Sequence, residues 1–443
     1  MKLLFIENRH KTFLFELITN QLGKNGHEIH WLIQNKQFIP SGNAKKYIID
    51  YPSTEINGYK KDQAIEDIIK SDRQFNHFNK QDTSYFYYYN DKIERYLKEL
   101  KPDFVFGEST AFHELLTINN CKKQQILYLN PSTCRYPTGR FSFYKYNTLE
   151  PYLGSMEVLS DKDANAIIDQ IVNRKTTPDY MKPSPASKRT IIKDKAIKIY
   201  SYAKGEKYNT PSPLTKYRLE KEKENNIKLW DAFAKDKIDV ENKTILLYPL
   251  QMQPEANIDV WGHEHRNQLQ LIKSISNLIP KNVVLVVKPN PKSKYELSRD
   301  LVDYVQNSSN IIALQHKVKM DEVFPHVDLV VTVTGTIAIE CILSNKPVVT
   351  MTKTINNCAK SCIYIKNITT ELQKIIDTVN NNTFHRNTNQ EKINFINALN
   401  ATSYKGVISD PFSDKNCISA NNIELVTSAF INVIEKQHGQ KNI

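Results

Sequence analysis

The stretch VDLVVTVTGTIAIECILSNKPVV, residues 327–349, decides the fold by its patterning. A short β-branched apolar run at 329–332 reads as a buried strand, and the turn Thr334-Gly335-Thr336 follows it. Residues 336–343 then space apolar side chains helically, and a second β-branched run fills 347–350. Strand, turn, helix and strand in that order form the βαβ unit of a parallel sheet.

The alternation continues outward on both sides. Upstream lie strands at 244–248, 283–288 and 311–314, with helices at 268–278 and 295–305 and a short one at 320–324. Together they predict a five-stranded Rossmann-like domain. Nearer the N-terminus come a strand at 2–6, a helix through Phe13, Leu17, Ile18 and Leu22, and strands at 27–33 and 47–50. A helical region with Tyr85, Tyr88, Ile93, Tyr96, Leu97 and Leu100, a strand at 103–106, a helix at 113–121 and a strand at 125–129 complete a second such domain. Between the two, the interleaved Lys221, Glu222, Lys223 and Glu224 and prolines at 178, 183, 185, 211 and 213 read as a helical, partly irregular connector with solvated charge. The expected division is therefore 1–158, a connector at 159–240, 241–400, and a helical tail at 401–443 whose helix at 423–436 is placed to pack across both halves.

Composition narrows the function. At 40% hydrophobic and 24% charged, the 443 residues are globular. Twelve glycines leave no Walker loop. The six cysteines form no C-x-x-C pair and no zinc spacing, which predicts a reducing compartment and no metal. Four apolar residues before Glu7 and Arg9 are too few for a signal-peptide core, and Asp328, Glu340, Asn345 and Lys346 break the most apolar stretch. A cytoplasmic, at most membrane-peripheral, protein is expected. The net charge of +12 favours anionic partners, though genomic base composition accounts for it equally well.

Ligands of open parallel sheets bind beyond the carboxyl ends of the strands, which fixes where to look. In the second domain that selects Gln251, Gln253, Pro254 and Glu255, then Lys288, Asn290 and Pro291, His316, and the turn Thr334, Gly335 and Thr336. The turn is expected to use the backbone freedom of Gly335 and the helix N-terminus to hold a phosphate, with Lys288 beside it. Glu340, one turn into the helix, can accept ribose hydroxyls, and the two glutamines can read a base or sugar hydroxyl. In the first domain Glu108, past a buried strand, is a nucleophile or base and equally a helix cap; His113 is a weaker candidate for proton transfer. Arg135 and Arg140 suit a carboxylate, and Glu7, Arg9 and His10 form a third loop, on the acceptor side.

Three motifs in order, YPLQMQPEANIDVWG, VVLVVKPNP and VDLVVTVTGTIAIECILSNKPVV, resemble the bacterial capsule polysaccharide biosynthesis family, which includes β-Kdo transferases. The match is good over 244–351 and looser around Glu108 and the two arginines, and the connector and the last ninety or so residues add nothing to it. The resemblance implies a GT-B-like α/β fold, two Rossmann-like domains facing a cleft. It implies a donor that is a CMP-activated acidic ulosonic sugar and an acceptor that is a glycan or lipid-linked glycan, with no metal and no nucleic acid. A retaining mechanism and peripheral inner-membrane contact fit it. Gln253, Pro254, Glu255, Lys288, Pro291, Thr334, Gly335, Thr336 and Glu340 would line the nucleotide side. Relatives often have His-Pro where this chain has Asn290-Pro291, and an amide cannot protonate a leaving group. Two other functions compete: a non-catalytic glycan- or nucleotide-sugar-binding subunit of capsule assembly, and a UDP-sugar epimerase on the same fold.

Overall fold

The computed structural model describes residues 1–52, 58–175 and 188–441, with side chains through 437. Among them are six strands in the first 158 residues: β1 (Lys2–Ile6), β2 (Glu28–Ile33), β3 (Lys45–Ile48), β4 (Phe104–Phe106), β5 (Leu127–Thr133) and β6 (Arg140–Lys145). Six more follow: β7 (Thr244–Pro249), β8 (Val283–Lys288), β9 (Ile311–Ala313), β10 (Leu329–Thr332), β11 (Val348–Thr350) and β12 (Cys362–Tyr364). The tail contributes β13 (Tyr404–Lys405). The chain divides into two compact units, each α/β and Rossmann-like as predicted.

In the first unit β5-β4-β1-β2-β3 pair in parallel, and β6 and β13 extend the β5 edge antiparallel. The second unit's sheet, β12-β11-β10-β7-β8-β9, is parallel throughout. The continuous apolar runs explain this, since a strand covered on both faces has no polar side to show: VVLVVK of β8 is buried at every position. The strands absent from the sequence reading are β6, β12 and β13. The latter two are three and two residues long, below what alternation can register.

The units also differ from the expected division. The first comprises 1–158, 188–213 and 398–441, and the second 159–175 and 214–397. No separate connector results: the helix Asp161–Val172 packs against Ile337–Leu343 in the second unit, while Lys188–Ala203 goes with the first. Prolines 178, 183 and 185 lie outside the described residues. The last helix, Ala420–Lys441, belongs to the first unit, where Val426, Phe430 and Val433 join the core and the Phe430 ring lies tilted against Phe106 with centroids 4.9 Å apart. No helix of the described residues is long and apolar enough to cross a membrane.

Candidate functional site

Beyond the carboxyl edge of the second unit's sheet, β8 delivers Lys288, which is 3% exposed. Among the described residues its ammonium makes one hydrogen bond, to the Pro289 carbonyl at 3.3 Å. Burial pulls its pKa down, against the opposing fields of Asp231 and Glu322. Gln251, past β7, donates to Thr334 Oγ1 at 2.9 Å, while its own buried Oε1 meets no donor among the described residues. Asn290 forms the turn after β8, its Oδ1 accepting from the Lys292 N–H at 2.9 Å.

Gln253 departs from its expected role. Its Nε2 donates to Asp259 Oδ1 (2.8 Å) and the Arg266 carbonyl (3.0 Å), and its Oε1 accepts from Gln268 (2.9 Å). Both ends of the amide hold the loop together, so Gln253 shapes the site. The Gln253–Pro254 peptide is cis, and the Glu255 N–H donates to Asp259 at 3.0 Å.

Gly335 is required for a different reason from the one expected. Its φ is not positive; a Cβ there would collide with Thr332 Oγ1, which accepts from the Gly335 N–H at 3.1 Å. Thr334 in turn donates to the Asn257 carbonyl at 3.1 Å. Glu340 is partly engaged: Oε2 accepts from Arg174 at 2.8 Å, and Arg174 also pairs with Asp321 and lies over the Phe324 ring. Burial raises the Glu340 pKa and Arg174 opposes it.

In the first unit, loops after β1, β2 and β4 converge. Glu108 pairs with Lys11 and accepts from Asn8 Nδ2 at 3.1 Å; the same Asn8 nitrogen reaches Glu114 at 2.8 Å. Gly107 admits this arrangement because a Cβ there would strike the Tyr128 hydroxyl and Ile6. The Lys11 ammonium is a counter-charge for the anionic form of Glu108, the form that a nucleophile or base requires.

Three expected site residues are committed to the fold. Glu7, 1% exposed, accepts from the backbone N–H of Arg9 (2.6 Å), Asn35 (2.8 Å) and Gln34 (3.3 Å), tying the loops after β1 and β2 together. Burial pushes its carboxyl up despite those donors. His113 lies 2.9 Å from the Glu7 carbonyl through Nε2 and 3.2 Å from Asn209 Nδ2 through Nδ1. A neutral ring satisfies both contacts, which leaves no nitrogen for proton transfer. Arg140 is 5% exposed, and its guanidinium donates to Ser403 Oγ, Glu157, Ser155 and the carbonyls of Asn400 and Ser403 at 2.8–3.1 Å. It is an internal strut and has no fork left for a substrate carboxylate. Arg135 is half-buried and partnered.

Sequence reasoning missed Arg73, which opens the short helix Arg73–Asn76. Burial first, and then Arg9, hold its pKa below the ordinary arginine value. It lies in a region empty of periodic signal, so only the fold reveals that it approaches Arg9. The preceding Asp72 caps the helix, accepting from Gln74 N at 2.7 Å, and burial pushes its carboxyl up to about 6. The folded state therefore binds this proton more tightly than the unfolded chain does. The resulting stabilisation is full below about pH 4 and is lost as the pH rises to about 6. Asp72→Asn keeps the cap and removes the ionisation. In urea melts it should flatten that decline and leave the variant more stable at pH 7 by about 1–3 kcal/mol; parallel slopes in both proteins would assign the titration to another group.

With this geometry in hand, the chain can be compared with known proteins. Residues 159–359 match the family model described as capsule polysaccharide biosynthesis protein. The family resemblance read from the three motifs is thereby shown over that stretch. The match takes in the segment before 244, to which the motifs gave no weight, and it leaves Glu108 outside. No curated protein matches the chain. Among solved structures, Thermosulfurimonas dismutans KpsC, a beta Kdo 2,7 transferase, aligns at 10% identity and TM-score 0.38, covering 93% of this chain and 94% of its own. The UDP-GlcNAc 2-epimerase of Methanocaldococcus jannaschii aligns at 14% identity and TM-score 0.28, covering 90% and 99%. Likenesses at this level do not choose between a transferase and an epimerase.

Proposed function

We propose that the protein is a glycosyltransferase of capsule or O-antigen assembly. It takes an acidic ulosonic sugar, Kdo or a nonulosonic acid such as pseudaminic acid, from its CMP-activated donor and passes it to a glycan or lipid-linked glycan without a metal. The observation that carries this reading is Lys288. A cation buried at a strand end with a single 3.3 Å hydrogen bond is costly until an anion meets it, and a donor phosphate is such an anion. Two acceptors nearby in the sheet order suit the rest of a nucleotide. Gln251 Oε1 meets no donor among the described residues and can take an amino or hydroxyl hydrogen, and Glu340 keeps its second oxygen for a ribose hydroxyl. In the first unit Glu108 is the carboxylate proposed to face the anomeric carbon.

The test is CMP affinity by calorimetry in Lys288→Ala and Glu340→Ala. Loss of a charge-assisted hydrogen bond is worth about 1.5–3 kcal/mol, so each variant should weaken CMP by roughly 10- to 100-fold. Unchanged affinity in folded variants would remove the assignment.

A further inference from the structure

His316 follows β9 on the same edge of the second unit, and the fold grips it from two sides. The helix Pro213–Phe233 is pinned by fully buried Trp230, whose Nε1 donates to the Leu314 carbonyl at 2.8 Å. That anchor sets the next residue, Asp231, against His316: Asp231 Oδ1 accepts from the His316 backbone N–H at 2.9 Å and lies 3.0 Å from Nδ1. On the far side of the ring, Nε2 lies 3.1 Å from Ser293 Oγ, and that hydroxyl donates to the Asn290 carbonyl at 2.9 Å.

Two proton arrangements fit these contacts. The Asn290 carbonyl only accepts, and Ser293 has one proton to give. With that proton directed at Asn290, Nε2 must itself donate to Oγ, while Nδ1–H donates to Asp231. That arrangement holds an imidazolium; with the Ser293 proton turned to Nε2 instead, the ring is neutral and the Asn290 carbonyl keeps the Ser293 N–H at 3.0 Å. Asp231, which faces the ring, also acts on Lys288 of β8, as does Glu322.

We propose that His316, held by Asp231 and acting from its imidazolium form, reaches the donor phosphate beside Lys288 through Ser293 Oγ and supplies, by way of that hydroxyl, the proton that the leaving phosphate takes. This rests on the reading that a nucleotide binds the second unit. As the bond between the anomeric carbon and the phosphate oxygen breaks, its electron pair stays on that oxygen. The Ser293 hydroxyl turns its proton from the Asn290 carbonyl, which keeps the Ser293 N–H, to that oxygen, while Nε2 passes its own proton to Ser293 Oγ. The ring is left neutral, still donating Nδ1–H to Asp231, and the proton lost by the attacking acceptor hydroxyl restores it. Asn290, an amide on the neighbouring turn, has no proton of that kind to give. Asp231 is the positioning residue of the set.

The experiment compares wild type and His316→Gln by calorimetry with CMP against cytidine and UMP against uridine, and by consumption of the sugar nucleotide. The ratio of nucleotide to nucleoside affinity reads the phosphate alone, whichever base the site takes. In the variant the ratio should fall by about tenfold with nucleoside affinity unchanged, and turnover should fall by about 100-fold. A wild-type ratio and turnover in His316→Gln would overturn the role of His316. A wild-type protein that binds neither nucleotide better than its nucleoside would instead overturn the reading of the whole unit. Should His316→Gln not fold, Asp231→Asn keeps the ring and replaces its counter-charge with an amide; the same losses are expected, and their absence overturns the proposal.

Discussion

Glu108→Gln is expected to lower glycosyl transfer by about 10³-fold or more while CMP binds as in wild type. An ulosonic acid donor departs through an oxocarbenium-like state, so a carboxylate that faces the anomeric carbon contributes most when positive charge grows there. Under the proposed function, Glu108 would be the nucleophile of a glycosyl-enzyme adduct if configuration is retained and the base for the acceptor hydroxyl if it is inverted. Glutamine keeps the size and one acceptor, so the contact with Asn8 can persist while the charge that balances Lys11 is lost. Retained CMP affinity separates a reacting group from a binding one, because the residues proposed for the nucleotide lie in the other unit. Near wild-type turnover would show that Glu108 is a partner of Lys11 and no more.

Arg140→Ala is expected to act on stability instead. The substitution removes five hydrogen bonds, one of them an ion pair with Glu157. Five lost hydrogen bonds around a buried side chain together cost about 3 kcal/mol or more, which lowers the melting temperature by roughly 6–12 °C for a unit of this size. Folded Arg140→Ala should turn over substrate as wild type does. A raised KM at unchanged melting temperature would restore the substrate-carboxylate role that the sequence suggested for it.

Arg140 also shows where the sequence stops being legible. The sequence places it in a loop, whereas it opens β6, and the residues that engage it, Asn400 and Ser403, lie some 260 positions away and arrive through the tail. The parallel strands were readable because burial on both faces writes itself as an uninterrupted apolar run, as in β1 and β8. Lys288 was readable for the same reason, since a charge at the end of such a run needs explaining. The reason for Gly335 was not legible, because a glycine kept for close approach and one kept for a positive φ look alike in sequence. Arg73, Asp231 and Ser293 carried no local signal at all; their significance comes from partners distant along the chain.

The most direct test of the account is the melting temperature of the intact protein with saturating CMP, UDP and GDP in parallel. A ligand held at about 100 times its dissociation constant stabilises by roughly 2.7 kcal/mol. The account predicts a clear upward shift with CMP that Lys288→Ala abolishes, and little shift with the other two. Stabilisation by UDP alone, or by none of the three, would contradict it.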